Sequence, residues 1–263
     1  MNDVFAQVAE LPGVDEAVAS ARTAVDRLLG HRILRRRSPE VSAEAALRGA
    51  RATSALEGVD LPLAEIRSGG TADPVVQGAL RVSAELGSLE ETWRQAPRQA
   101  LARLHVLAAA DAVPASDLGR PRTSTALSPD GEAGLLGAPS PAEVAARLDV
   151  LSGLLTAPTK APALVVGAIV HAELLALRPF GWGDGIVARA AQRLTLVQRG
   201  LDPKSLTAPE IGHAELAGEY EKALQGYVAG TPEGVTGWVR HCADAVVVAA
   251  RDSLAICEAL LRG

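Results

Sequence analysis

The chain is short of aromatic residues, of sulfur and of positive charge. Aromatics make up 3% of its 263 residues while hydrophobic residues reach 48%, so a core has to be built from Ala, Leu and Val. Ala and Leu favour helix, and small side chains let helices pack closely. A chain of this length can bury a sizeable core without disulfides or metals. Cys242 and Cys257 are the two cysteines. They fall in one helical-looking stretch, roughly 22 Å apart along a continuous helix, too far to pair. Free thiols and a reducing compartment are therefore expected. No CxxC and no paired Cys/His cluster suggests zinc.

The formal net charge of −5 gives no general attraction to nucleic acid or to an anionic membrane. The run His31-Arg32-Ile33-Leu34-Arg35-Arg36-Arg37 is a local exception. It reads either as a solvated helix end, where cations suit the negative end of the dipole, or as a phosphate or partner contact. The N-terminus opens Met-Asn-Asp-Val without a basic region before an apolar stretch, so no signal peptide is expected. The longest apolar stretch, residues 161–177, is interrupted by His171 and Glu173 and reads as a buried helix, not a membrane span. These features together predict a cytoplasmic protein.

Helical spacing of apolar residues recurs along the chain. It predicts helices over residues 14–30, 42–56 with Ser42 as cap, 74–95, 97–111, from Ser140-Pro141 onward, 162–177, 186–199, 208–229 and 233–262. A Gly-Gly break at 69–70 separates an N-terminal helical region, 1–75, from a core of 76–263. Residues 113–141 are rich in Gly and Pro and read as a long loop, with a small hairpin about Ser128-Pro129-Asp130-Gly131. Loops of that length in compact domains are usually functional or mobile.

The most informative segment is 171–189, HAELLALRPFGWGDGIVAR. It is a helix, a glycine-rich turn and a second helix. The unsatisfied N–H groups that open the second helix could cradle an anion. The glycines could equally serve only a tight interhelical turn.

This segment resembles the Fic/Fido family, whose motif reads His-Pro-Phe-x-Asp/Glu-Gly-Asn-Gly-Arg-x-x-Arg with a further His seven residues upstream. His171 matches that upstream His. Pro179, Phe180, Gly183, Gly185 and Arg189 match the motif in register. Arg178 stands at the catalytic His position, Trp182 at the magnesium-holding acid, Asp184 at the phosphate-contacting Asn and Ile186 at the first Arg. Thr53-x-x-x-Glu57-Gly58 is similar to the family's inhibitory signature. Leu104-His105, Gly119-Arg120-Pro121-Arg122, Pro139 to Val144, Tyr220-x-x-Ala223-Leu224 and Gly237-Trp238-Val239 extend the likeness over roughly residues 40–250.

The resemblance implies an all-α Fic/Fido helical bundle with a small β-hairpin flap. It also implies AMP transfer from ATP to a protein hydroxyl, with magnesium, as the family's activity. The departures argue against that activity here. An arginine stays protonated and cannot be a general base, although Arg178 could bind phosphate or pair with Asp184. Trp182 offers no metal ligand; it reads as a plug in the vacated pocket or as a stacking surface. Asp184 is the remaining candidate for a metal. Gly183, Asp184, Gly185, Arg189 and Arg178 are the candidate nucleotide or anion site, and no residue is assigned as catalytic. Glu57, with Thr53 and Gly58, is expected to reach Arg189 across the cavity. His171 reads as a hydrogen-bonded core histidine, and His105, His213 and His241 as structural or surface residues. Two readings lead, a degenerate protein that binds or regulates and a divergent nucleotidyltransferase; a purely structural oligomer with no open pocket is a third. Either of the first two would have a protein target or partner, and a homo-oligomer fits both.

Overall fold

A computed structural model describes residues 3–125 and 139–262. Among these residues the secondary structure is entirely helical, with no strand. The expected hairpin about Ser128 to Gly131 lies outside the described residues. The helices are α1 (Val4–Ala9), α2 (Val14–Leu29), α3 (Leu34–Leu56), α4 (Leu63–Ser68), α5 (Pro74–Glu85), α6 (Glu90–Gln95), α7 (Pro97–Ala109), α8 (Pro141–Thr156), α9 (Ala163–Leu177), α10 (Asp184–Gln198), α11 (Pro209–Glu215), α12 (Ala217–Val228) and α13 (Pro232–Arg262).

The centre of the bundle is α9 with α10. Every residue of α9 except Glu173 is buried, as expected for a helix that is apolar all round. Residues Asp184 to Val197 of α10 are buried as well. Around this pair, α13 packs along α2, α11 and α12, and α3 packs against α5 and α11. The shortage of aromatics is met by close helix approach. A Cβ on Gly78 would lie 2.1 Å from the Ala108 carbonyl oxygen, and one on Gly212 would lie 2.2 Å from that of Ala245. The two contacts draw α5 onto α7 and α11 onto α13 at glycines that have no side chain to spare. No helix among the described residues is long and apolar enough to cross a membrane. Cys242 and Cys257 are free thiols on α13.

Several boundaries differ from the sequence expectation. α3 begins at Leu34, not Ser42, and runs through Pro39 with a kink at Arg37. Ser42 lies inside it and its hydroxyl donates to the Ser205 carbonyl at 3.2 Å, so the residue is an inter-element contact and not a cap. The arginine run consequently sits at a helix start. Arg37 is tied to Glu40 and, at 3.1 Å, to the Leu260 carbonyl. The stretch 74–95 is broken by a 3₁₀ turn at Leu86–Leu89, and 208–229 is broken at Leu216. Helices α1 and α4, six residues each, are too short for periodicity to reveal them.

Candidate functional site

Helix α9 ends at Arg178, which adopts the left-handed conformation (φ 45, ψ 61) and whose N–H donates to the Leu174 carbonyl. Such a residue is uncommon outside glycine. The arrangement is held from outside by Arg122. Its Nε donates to the Arg178 carbonyl at 2.8 Å, its side chain reaches the Leu177 carbonyl at 3.3 Å, and its own N–H donates to the Pro179 carbonyl at 2.8 Å. A cation on the last carbonyls of a helix suits the dipole. Arg122 also donates to the carbonyls of Ser124 (2.7 Å) and Pro139 (2.6 Å), so it gathers both ends of the long connection at the motif turn.

The turn itself uses left-handed glycines at 181 and 183 (φ 82 and 67). Phe180 stacks on His105, with ring centroids 4.2 Å apart and planes 6° from parallel. His105 Nδ1 accepts from the Gly119 N–H at 2.9 Å. Burial holds this histidine neutral, pushed down to about 4 with the Trp182 backbone acting the other way. His105 is therefore a buried support for the turn and not a surface residue. Trp182 is half-buried, whereas Trp93 and Trp238 are buried, so it falls short of a complete plug.

Asp184 opens α10 and is buried, 4% exposed. Its carboxylate folds back into the turn, Oδ1 accepting from Phe180 N–H at 2.9 Å and Oδ2 from Gly181 N–H at 2.8 Å. Burial raises its pKa to about 7; those two N–H donors and the charge of Arg178 oppose the rise, and Glu57 adds to it. Part of the turn's hydrogen-bonding capacity is thus already directed at a carboxyl of the chain itself. Magnesium, the ion the motif implies, wants several oxygen ligands. Here Trp182 supplies none and both oxygens of Asp184 are turned to backbone N–H groups, so this donor set does not fit it. Arg178 is 4% exposed. Burial lowers its pKa, and the charges of Asp184 and Glu57 counter that.

Across the turn lies α3. Arg189 is 1% exposed. It is ion-paired with Glu57, and its Nε donates to the Thr53 hydroxyl at 3.1 Å. Thr53 and Glu57 are one helical turn apart, hence on one face. Gly185 makes room for them, since a Cβ there would lie 2.0 Å from Glu57 Oε1 and 2.9 Å from an Arg189 nitrogen. The approach of Glu57 to Arg189 expected from sequence is present. Gly58 follows with φ 91, which ends α3 immediately beyond the contact. A separate cavity of about 430 Å³ opens behind α3, lined by Arg48, Arg51, Asp60 and Asp252 among others, and does not include the turn.

Sequence reasoning missed a second cluster. His171 on α9, His213 on α11 and Cys242 on α13 offer ligand atoms within 4.8 Å of one another. His213 is not a surface residue: it is fully buried, 2.8 Å from Gln192 Oε1 and 2.9 Å from His241 Nε2. His171 is buried with Nε2 2.8 Å from the Tyr220 hydroxyl. Trp238 Nε1 donates to the Ala168 carbonyl at 2.7 Å and packs edge-on to His171. No spacing rule could find this cluster, because each member comes from a different helix.

No protein-family model matches the chain, and no curated protein matches it. Solved structures do. A Fic family protein from Desulfovibrio desulfuricans G20 superposes with a TM-score of 0.72 at 20% identity, over 93% of this chain and 75% of that one. A segment of Fic-1 from C. elegans gives 0.71 at 20% identity, over 94% and 73%. A Fic domain containing signaling protein from Bacteroides thetaiotaomicron VPI-5482 gives 0.69 at 12% identity, over 92% and 98%. The chain has the Fic fold.

Proposed function

We propose that this Fic-fold protein acts as a binding or regulatory module and not as an ordinary AMP-transferase. The observation that carries the reading is the end of α9. A buried, permanently charged Arg178 stands where the family resemblance puts the general base, and the neighbouring Asp184 carboxylate is bound into the turn. A general base must be able to lose its proton near working pH, which a guanidinium does not. The anion-binding capacity that remains lies with Arg178, Arg189 and the backbone of Gly183 and Gly185. Nucleotide or phosphate is the ligand class these groups fit, and a protein is the partner. The two free buried thiols support a reducing, cytoplasmic setting.

A second reading is favoured by one specific contact. The Glu57–Arg189 pair with Thr53 is the arrangement that would restrain a nucleotide pocket, and a restraint has little use on a dead site. In this reading the chain is a divergent nucleotidyltransferase held off by Glu57. One experiment separates the two: incorporation of labelled AMP into the protein and into a lysate, wild type against Glu57→Gly. The module reading expects no labelling by either form. Strong labelling by Glu57→Gly that Asp184→Ala abolishes would establish the transferase.

A further inference from the structure

We propose that His171, His213 and Cys242 form a buried site for a soft divalent metal, zinc by its ligand chemistry, separate from the motif turn. Each histidine has its outer nitrogen held by a partner, and each side chain also meets the Gln192 amide that lies among the ligand atoms. His171 Nε2 is engaged by the Tyr220 hydroxyl at 2.8 Å, and His213 Nδ1 by His241 Nε2 at 2.9 Å. That leaves His171 Nδ1 and His213 Nε2 as the inward nitrogens. Ligating histidines characteristically have their distal nitrogen fixed in this way.

The Gln192 side chain lies among the three ligand residues. His171 Nδ1 and Gln192 Nε2 are both buried without a hydrogen bond of normal geometry, and both residues are 0% exposed. The Gln192 amide sits at the hub, its Oε1 2.8 Å from His213 Nε2. His171 and Cys242 also interact with the Gln192 side chain, so a metal here would take the place of those contacts, with the lone pairs coming from His171 Nδ1, His213 Nε2 and Cys242 Sγ. The ligand atoms lie within 4.8 Å of one another. Tetrahedral zinc bonds of about 2.0–2.3 Å would draw them together by roughly an ångström. Gln192 Oε1 is the fourth donor within reach.

The electrostatics accommodate the ion. Burial keeps His171 and His213 well below the ordinary histidine range, so both are neutral and able to ligate. Arg189 is the cation that acts on both histidines, and it is ion-paired with Glu57. Glu219 is the acid that acts on His241. Burial pushes the Cys242 thiol up, so binding has to displace its proton: a Zn–S bond forms, the S–H bond breaks and one proton per ion leaves to solvent.

The test uses the full chain and cobalt(II) as a spectroscopic stand-in for zinc. Cobalt is added to native protein and, because the site is closed, to protein refolded in its presence, with circular dichroism confirming refolding. The proposal expects one equivalent bound, a thiolate-to-cobalt absorption band, displacement of cobalt by zinc and a raised melting temperature. Cys257→Ser retains the band and Cys242→Ser loses it. Tyr220→Phe, which keeps all three ligands, weakens binding by about 10- to 100-fold. Absence of the band from both preparations of the wild type overturns the site, as does a band that survives Cys242→Ser. Asp184→Ala leaves the band intact, so failure here and failure of the module reading are distinguishable.

Discussion

The motif turn and the face of α3 that covers it are held by different kinds of contact. On α3, Thr53, Glu57 and Gly58 stand together as one grip on Arg189, and Gly185 provides the clearance that the grip requires. On the turn, around Arg178 and Trp182, the backbone is held by left-handed glycines, the Asp184 carboxylate and Arg122. The α3 contact rests on one charged pair and a hydroxyl set against a single guanidinium, whereas the turn is held mostly through its own backbone.

The largest effect should come from removing the cation at the centre of the grip. Arg189→Met leaves Glu57 and the Thr53 hydroxyl facing an apolar side chain. Breaking a buried pair in this way costs about 3–5 kcal/mol, and Glu57 is close to that limit, its side chain being 11% exposed. Urea unfolding would measure it. A loss below about 1 kcal/mol would mean that the pair is solvated and the face of α3 is no grip at all.

Gly185→Ala should come next. The added Cβ meets the Glu57 carboxylate, and overpacking of this kind costs roughly 1–3 kcal/mol. The cost should largely vanish in a Glu57→Gly background, giving a coupling in a double-mutant cycle of about the size of the single-variant cost. Equal penalties in both backgrounds would place the clash elsewhere.

The sequence showed the fold through the apolar run of α9, the glycine turn and the order of helices, since those depend on local period and backbone need. It also placed Glu57 opposite Arg189, because a signature of residue types stood in register with another 132 residues away. What stayed hidden was set by tertiary contact. Ser42 looked like a cap but serves Ser205. Asp184 looked like a metal or phosphate residue, and nothing in its spacing revealed that its carboxylate would turn back onto Phe180 and Gly181. His171, His213 and Cys242 converge from three helices, which no spacing on one helix can announce.

Asp184 supplies a pH-dependent prediction. Its pKa rises from the ordinary 3.8 to about 7 in the fold, so the folded state holds a proton that the unfolded chain has released between those values. Stability from this group is full below about pH 4 and falls as pH rises to about 7. A shift of this kind is worth on the order of 1–3 kcal/mol once relaxation is allowed for. Asp184→Asn removes that slope, so the difference between wild-type and variant stability should change across this window and level off above it. A pH-independent difference would mean that Asp184 is ionised throughout, held by its two N–H donors and Arg178. In that case the turn would carry a permanent internal anion, which would strengthen the contrast with α3.

The smallest predicted effect separates the two members of the grip. Thr53 accepts from Arg189 Nε at 3.1 Å and is 4% exposed, whereas Glu57 holds a terminal nitrogen of the same guanidinium. Thr53→Val keeps the shape and removes only the hydroxyl, leaving Nε–H buried without that acceptor. A single neutral partner is worth about 1 kcal/mol, so the fold should weaken by about that amount while the ion pair stays. The consequence for the pocket is larger than the energy suggests. A guanidinium held at Nε presents its outer edge in one direction, and loss of that one bond loosens its orientation between Glu57 and an anion that enters the turn. Phosphate binding to Thr53→Val, measured by calorimetry, should therefore be stronger than to wild type, and Thr53→Ser should restore the wild-type value because the hydroxyl returns. If Thr53→Ser behaves like Thr53→Val, the methyl group and not the hydroxyl positions Arg189, and Glu57 alone constitutes the grip.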